Sequence, residues 1–145
     1  MITYADKERV KYWPVPAELM AQYKDGSHTY KNRYGLCWAN QNGKTHRDGD
    51  KPTMIGADGT STWYQNSKTH RDGDKPAIIW ADGKLEWWQN GLCHRCCGPA
   101  RINPDDTLSW WINGKEITQE VNEWLDGEEW HGTPLQIFEF RLRFT

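Results

Sequence analysis

The sequence predicts a mainly β protein, an antiparallel β-hairpin repeat array with a period of about 24 residues that ends in a short C-terminal helix and a closing strand. The nonapeptide KTHRDGDKP occupies residues 44–52 and recurs unchanged at 68–76. Each period also holds two turn-forming dipeptides, Asp-Gly and Asn-Gly or close variants, and one pair of adjacent aromatic residues. A fixed period of this length is typical of repeat architectures, so it indicates the fold before any residue propensity does.

The composition explains how so polar a chain can fold. Only 37% of the residues are apolar and the mean hydropathy is -0.94, which alone is typical of disordered chains. Ten tryptophans and six tyrosines compensate, because each aromatic side chain buries about 150–250 Å². We therefore expect residues 1–145 to form one domain in which a few large side chains hold a thin sheet together.

Each repeat predicts two short strands joined by a tight turn. The first strands follow a proline and cover residues 53–56, 77–80 and 100–103. The second strands run through the aromatic pairs Trp63-Tyr64, Trp87-Trp88 and Trp110-Trp111. Asp-Gly and Asn-Gly tolerate the positive φ that type I′ hairpin turns require, and two such signals per period predict a meander.

The aromatic pairs predict two columns of side chains, because neighbouring residues of a strand point to opposite faces. One column would hold Trp63, Trp87 and Trp110, and the other Tyr64, Trp88 and Trp111. Either column can be the buried one. The other is a candidate binding surface, since a single-layer sheet cannot bury ten tryptophans without a covering partner. Trp80 joins this candidate surface because its counterparts in the other copies, Gly56 and Asn103, are not aromatic.

The N-terminal residues 1–41 depart from the repeat and predict a divergent cap that contains one degenerate unit. The segment from Asp25 to Tyr30 parallels the segment from Asp58 to Trp63. Trp38 falls one place out of phase with Trp63 when the Asn-Gly turns are aligned. Terminal repeats are commonly atypical because they cap the stack. The regular repeats then occupy residues 42–114.

Residues 115–145 predict a C-terminal cap made of a helix and a strand. Thr118 is placed to be the N-cap, and Gly127 ends the helix. The apolar residues at helical spacing are Ile117, Val121, Trp124 and Leu125. Along residues 136–145 apolar and polar side chains alternate, which predicts an amphipathic strand. Such a strand would cover the exposed edge of the repeat sheet.

Net charge and hydropathy limit which classes of partner and which cellular compartment we expect. A net charge of -2 argues against a protein that binds nucleic acid through its overall charge. The sequence has no apolar run of about 18 residues and no signal-peptide core, so we expect a cytoplasmic protein with no membrane partner. Without a secretion signal, the four cysteines are expected to be reduced thiols.

Three His-Arg steps recur with the repeat, and they are the first candidate ligand site. They are His46-Arg47, His70-Arg71 and His94-Arg95. Stacked arginines can bind phosphate or carboxylate through paired hydrogen bonds. The alternative is structural: Asp48, Asp50, Asp72 and Asp74 neutralise the arginines, and the ladder holds the repeats together. We favour this structural interpretation.

Metal binding and catalysis receive little support from the residues. Cys93, Cys96 and Cys97 have a spacing that zinc accepts, but a fourth ligand would have to come from Cys37 or a distant histidine. The other copies place threonine where Cys93 stands, which indicates sequence drift. No phosphate-binding loop, HExxH-like motif or nucleophile turn is present. We therefore expect no cofactor, no metal and no enzymatic activity.

The repeat unit W-W/Y-x-N-G-x-x-H-R-x-x-G-P-A-x-I-x-x-D-G resembles MORN-like repeats, in particular the degenerate form found in proteins of tailed phages and large DNA viruses. It is also similar to the bacterial YwqK-type antitoxin repeat. The resemblance covers residues 42–114 and implies a β-hairpin repeat fold with a non-catalytic role in binding or assembly. The chain departs from the pattern at Asp50-Lys51 and Asp74-Lys75, which replace a glycine before proline, and at Ser67, which replaces a turn glycine.

The resemblance and the small size together predict an accessory protein of a phage or mobile element that acts in the host cytoplasm. We expect it to engage or inhibit a host macromolecule, in the first place a host protein, through its aromatic and His/Arg surface. One alternative is the sequestration of a small anionic metabolite or nucleotide signal between the arginines and aromatics. Another is a structural assembly part that self-associates as a homo-oligomer.

Overall fold

A computed structural model describes residues 27–32, 35–40 and 42–145 of the chain. Residues 1–26 of the predicted N-terminal cap, which include the start of its degenerate unit at Asp25-Gly26, lie outside the described residues. The strands, in chain order, are β1 (Ser27–Asn32), β2 (Gly35–Asn40), β3 (Met54–Gly56), β4 (Ser61–Thr62), β5 (Tyr64–Gln65), β6 (Lys68–Thr69), β7 (Ile78–Ile79), β8 (Leu85–Glu86), β9 (Trp88–Gln89), β10 (Leu92–Cys93), β11 (Arg101–Ile102), β12 (Leu108–Ser109), β13 (Trp111–Ile112) and β14 (Lys115–Glu116). The helices α1 (Thr118–Leu125) and α2 (Pro134–Phe144) follow.

The predicted antiparallel hairpin array is confirmed. Eight strands form one sheet in the order β1-β2-β3-β4-β7-β8-β11-β12, and every pair in it is antiparallel. The remaining strands form three small hairpins, β5 with β6, β9 with β10, and β13 with β14. Each repeat thus contributes one hairpin to the main sheet and a second hairpin outside it.

The two turns of each repeat use different backbone geometry. In the small hairpins both central residues have positive φ, as in Asn90 (51°) and Gly91 (82°), which is type I′ geometry. In the Asp-Gly turns only the second residue does, Gly59 at 96° for example. The preceding Asp58 instead accepts the backbone N–H of Thr60 through its side chain at 2.9 Å. The type I′ prediction therefore holds for the Asn-Gly turns and is wrong for the Asp-Gly turns.

The first aromatic column is the buried one. Trp63, Trp87 and Trp110 are 8%, 7% and 2% exposed, whereas Tyr64, Trp88 and Trp111 are half-buried. The backbone N–H groups of Trp63 and Trp87 donate into the next repeat, to the carbonyls of Ala77 and Ala100, both at 2.8 Å. Ala77 is itself completely buried. The column therefore lies where successive repeats meet.

Trp38 is a further member of this column, 6% exposed, and its N–H donates to the carbonyl of Thr53 at 2.9 Å. One extra residue in the following loop explains its apparent phase shift. Ala39 pairs with Thr45 across residues 40–44, whereas Tyr64 pairs with Thr69 across residues 65–68. The insertion is accommodated in the turn, so the packing position is unchanged.

Helix α1 confirms the predicted helix and corrects the role of Thr118. Ile117 is the N-cap, and Thr118 is the first helical residue. The hydroxyl of Thr118 accepts the backbone N–H of Trp110 at 3.1 Å and donates to Glu116 at 2.9 Å. No further repeat follows Trp110, and Thr118 supplies the acceptor that a carbonyl of the next repeat supplies elsewhere. This hydroxyl thus terminates the array.

The predicted closing strand over residues 136–145 is wrong, because helix α2 covers this segment up to Phe144 and Thr145 is its C-cap. The hydroxyl of Thr133 accepts the N–H of Gln136 at 3.2 Å, and Pro134 occupies the first turn, both of which favour a helix start. Phe140 is fully buried against Trp130 and the Trp110 cluster, but Phe138 is 59% exposed. These residues would share a face in a strand, and in the helix they do not.

In the described part of the chain, neither helix has the length and apolarity to cross a membrane.

Candidate functional site

The histidines of the His-Arg steps connect one repeat to the next. The Nδ1 atom of His70 accepts the backbone N–H of Asn90, in the following small hairpin, at 3.0 Å. The same bond joins Asn66 to His46 at 3.3 Å and Asn113 to His94 at 3.0 Å. A backbone amide can only donate, so Nδ1 is the acceptor in each of these bonds and the ring proton lies on Nε2. Burial lowers the pKa of His94, which also favours the neutral ring.

The arginines lie flat against the buried tryptophan column. The guanidinium carbon of Arg71 lies 3.8 Å from the ring centroid of Trp63, and Arg47 and Arg95 take the same position over Trp38 and Trp87, at 3.9 and 4.0 Å. Such contacts combine cation–π attraction with packing. The Nη1 atom of each arginine also donates to a proline carbonyl of its own loop, at 3.0–3.1 Å.

Aspartates neutralise two of the arginines, as the structural interpretation expected, but they come from the preceding repeat. Arg71 donates from Nε and Nη2 to the two carboxylate oxygens of Asp50, at 2.6 and 3.1 Å. Arg95 binds Asp74 in the same way, at 2.7 and 2.9 Å. The hydrogen bonds from Arg71 and then Lys75 hold the pKa of Asp50 well below its usual range. An anion could reach these arginines only by displacing the aspartates.

A groove of about 430 Å³ lies between the loops of the first two regular repeats. It brings together five of the predicted binding residues, His46, Arg47, Tyr64, His70 and Arg71. Its rim is acidic, because Asp48 and Asp72 are about four-fifths exposed and accept from the Nε2 atoms of His46 and His70. The remaining predicted residues, Trp80, Trp88, His94, Arg95 and Trp111, lie outside this groove.

The tryptophans of the second aromatic column contact a network of charged side chains. The guanidinium carbon of Arg101 lies 4.5 Å from the ring of Trp111 and 5.9 Å from that of Trp88. The indole N–H of Trp88 donates to the buried carboxylate of Glu86 at 2.9 Å. Burial opposes the ionisation of Glu86, but the bonds from Lys84 and Trp88 outweigh it, so its pKa is lowered. Trp80 differs from both, since it is 40% exposed with Lys84 beside its ring.

The cysteines divide into two buried and two accessible thiols. Cys37 and Cys93 are each 3% exposed, and burial raises the pKa of Cys93 to about 11. Cys96 and Cys97 are half-buried, with their sulfur atoms 3.5 Å apart. Within the described residues, no group of three or more His, Cys, Asp or Glu side chains is placed to hold a metal ion. Arg141, from α2, approaches Cys96 to 3.5 Å.

Helix α2 carries an exposed apolar stripe, which we define as Leu135, Phe138 and Leu142. These side chains are 64%, 59% and 73% exposed. At 100° per residue they lie on one side of the helix, and the inward-facing Phe140 and Phe144 lie on the other. A shallow groove of about 530 Å³ between α1 and α2, lined by Trp124, Glu139, Leu142 and Arg143, adjoins the stripe.

Sequence reasoning missed both the stripe and Arg141 because it predicted a strand here. The signals that could have indicated the helix are Thr133-Pro134 followed by Gln136, and the helical spacing of Ile137, Phe140 and Phe144. No protein-family model, curated protein or solved structure matches this chain. We therefore infer the function of this chain from the geometry of these surfaces.

Proposed function

We propose that the protein is a non-catalytic binding module that engages a partner protein through the apolar stripe of α2. The observation that carries this proposal is the exposure of Leu135, Phe138 and Leu142, each by more than half. Single exposed apolar residues are ordinary, but three large ones on one side of a short helix form a patch that is typical of protein interfaces.

The second apolar face of α2 needs an explanation beyond folding. A surface helix buries one apolar side and presents polar residues on the other, and a helix that is apolar on both sides is usually covered on both. Phe140 already packs against Trp130, which contacts Trp110 of the repeat array, and Phe144 packs against Trp124 of α1. Phe138 and Leu142 face away from that contact, so the fold itself gains little from them.

The chemistry of the stripe favours one kind of partner surface. Positions i, i+3 and i+7 are the anchors by which an amphipathic helix enters a hydrophobic groove of another protein. Glu139 and Arg143 lie beside the stripe and line the groove next to it. The matching surface would be an apolar cleft with both signs of charge at its rim. The low net charge of the chain adds no attraction toward nucleic acid.

The biological setting of this proposal comes from the MORN-like repeat resemblance. An accessory protein of a phage or mobile element would present the stripe to a host protein in the host cytoplasm, and the repeat array would serve as its rigid support. The aromatic and His/Arg surface would then contribute through the groove beside Tyr64, His46 and His70, at the rim of the interface. Homo-oligomerisation through the same stripe is the competing outcome.

The small-anion alternative has less support in the geometry. Arg71 and Arg95 each bind a carboxylate through two hydrogen bonds, and each also packs on a tryptophan. A phosphate would have to replace those carboxylates at the cost of the contacts between repeats. We therefore place partner binding on α2 and assign the His-Arg ladder chiefly to the scaffold.

The test compares the unmodified protein with a Phe138→Ser/Leu142→Ser double variant and with Leu92→Ser, which changes an exposed apolar residue outside α2. Native mass spectrometry after exposure to host lysate would identify retained proteins, and calorimetry with each purified candidate would measure affinity. We expect the double variant to bind at least about tenfold more weakly, and Leu92→Ser to bind as the unmodified protein does. Circular dichroism would verify that all three are folded.

Three results would count against this proposal. Equal binding by the double variant and the unmodified protein would move the interface away from α2. A concentration-dependent dimer in sedimentation experiments, abolished by the same double variant, would instead assign the stripe to self-association. Retention of a small anion that is lost on Arg71→Gln, with the fold preserved, would restore the sequestration alternative.

A further inference from the structure

The loop that carries Cys96 and Cys97 differs from its counterparts in the two earlier repeats. Between the His-Arg step and the proline, those copies hold Asp48 and Asp50, or Asp72 and Asp74. Asp50 and Asp74 each face an arginine of the following repeat. In the third copy this loop is one residue shorter and holds two adjacent cysteines and no aspartate, and no fourth His-Arg step follows in the sequence.

An arginine is nevertheless present at this end of the ladder. Arg141 reaches from α2, and its Nη2 atom lies 3.5 Å from the sulfur of Cys96. Cys96 follows Arg95 directly, as Asp48 follows Arg47 and Asp72 follows Arg71. A thiolate at Cys96 would lie opposite the guanidinium of Arg141. Asp74 also acts electrostatically on this cluster, stabilising the charge on Arg141 and opposing ionisation of Cys97.

The two neighbouring thiols have opposite tendencies to ionise. Burial opposes ionisation of Cys96, but the hydrogen bonds from Arg141 and Cys97 outweigh it, and its pKa is lowered. Burial and the neighbouring Cys96 raise the pKa of Cys97. A thiolate beside an arginine, half-buried rather than enclosed, is the environment in which cysteines become reactive. The thiol of Cys97, 3.5 Å away, is within reach of any product formed on Cys96.

We propose that Cys96 is a peroxide-reactive thiolate activated by Arg141, and that Cys97 is its resolving thiol. In the first step the thiolate attacks one oxygen of hydrogen peroxide. The O–O bond breaks, hydroxide leaves and takes up a proton to become water, and Cys96 becomes a sulfenic acid. In the second step the sulfur of Cys97 attacks the sulfur of Cys96, the S–O bond breaks, and the hydroxyl leaves as water with the proton of Cys97. The peroxide is reduced by two electrons and the dithiol is oxidised to a disulfide.

This oxidation changes the contact between α2 and the repeat array. A disulfide sulfur carries no negative charge and is a poor acceptor, so Arg141 loses its partner at Cys96. Phe140 still anchors the helix against Trp130. The Cα atoms of adjacent residues are about 3.8 Å apart, closer than the usual span of a disulfide, so the product should be readily reduced by a dithiol.

The experiment treats the purified protein with stoichiometric hydrogen peroxide at neutral pH and maps the products by mass spectrometry. We expect the loss of two hydrogen atoms within the peptide that holds both cysteines, reversed by dithiothreitol. In Cys97→Ser the sulfenic acid should persist and be trapped by dimedone on Cys96. In Cys96→Ser dimedone should label no cysteine. Cys37 and Cys93 serve as buried internal controls.

The role of Arg141 is tested by the rate at which Cys96 reacts with hydrogen peroxide. Arg141→Gln should slow the reaction of Cys96 with peroxide by about five- to tenfold, whereas Arg141→Lys should retain most of it. Arg143→Gln is the matched control, because Arg143 lies on the other side of the helix. Equal rates in Arg141→Gln and Arg143→Gln, or reaction at Cys97 before Cys96, would overturn the proposal. If Arg141→Gln does not fold, the rate of alkylation of Cys96 in the unmodified protein is measured as a function of pH. A midpoint of this pH dependence below about pH 8.5 supports the proposal, and a midpoint at or above that pH rejects it.

Discussion

Arg71 joins two repeats, because its guanidinium packs 3.8 Å from the ring of Trp63 while it donates two hydrogen bonds to Asp50 of the preceding loop. Arg95 repeats the arrangement with Trp87 and Asp74. One side chain thus couples the buried column of one repeat to the surface loop of its neighbour. Repeat proteins depend on such nearest-neighbour contacts, since one unit cannot bury its apolar face alone.

The first prediction concerns this pair. Arg71 is 13% and Asp50 43% exposed, so solvent weakens their attraction only in part. We expect a double-mutant cycle of Asp50→Asn and Arg71→Gln to give a coupling energy of about 1–2 kcal/mol, measured by urea unfolding followed through tryptophan fluorescence. A cycle of Asp48→Asn with Arg71→Gln is the control, and its coupling should be near zero. If the coupling energy between Asp50 and Arg71 is no larger than that between Asp48 and Arg71, the ion pair adds little to the stability of the protein.

The second prediction is acid sensitivity with a defined origin. The pKa of Asp50 is lowered in the folded state by Arg71 and Lys75, so its unfolded form binds the proton more readily. Its contribution to stability is therefore complete above about pH 4 and is lost as the pH falls toward the folded pKa. In Asp50→Asn the free energy of unfolding should fall less steeply as the pH is lowered below about 4. An unchanged slope in this variant would assign the acid sensitivity to other carboxylates, such as Asp72.

How much of this structure the sequence predicts depends on how far apart along the chain the contacting residues are. Hairpins, turns and the two aromatic columns arise from contacts within one period or between neighbouring ones, and the repeat made these visible. The choice of buried column depended on packing, as did the pairing of Asp50 with Arg71 rather than with an arginine of its own loop. The contact of Arg141 with Cys96 spans 45 residues and leaves no periodic trace.

The third prediction tests how the array ends. The hydroxyl of Thr118 accepts the N–H of the buried Trp110 and donates to Glu116. Thr118→Val keeps the shape but removes the acceptor, so we expect the free energy of unfolding to fall by about 1–3 kcal/mol. Thr118→Ser retains the hydroxyl and should cost less. A result in which the serine variant loses as much as the valine variant would indicate that the methyl group, and not the hydrogen bond, matters here.

The fourth prediction separates the helix from the strand that alternation suggested for residues 136–145. In a strand, Phe138 and Phe140 would lie on the same face and would contribute similarly. In α2, Phe140 is completely buried beside Trp130, whereas Phe138 is 59% exposed. We therefore expect Phe140→Ala to lower the free energy of unfolding by about 3–4 kcal/mol and Phe138→Ala by less than about 0.5 kcal/mol. Comparable losses in thermal and urea unfolding of the two variants would contradict the helical packing, and with it the exposed stripe on which the proposed partner binding depends.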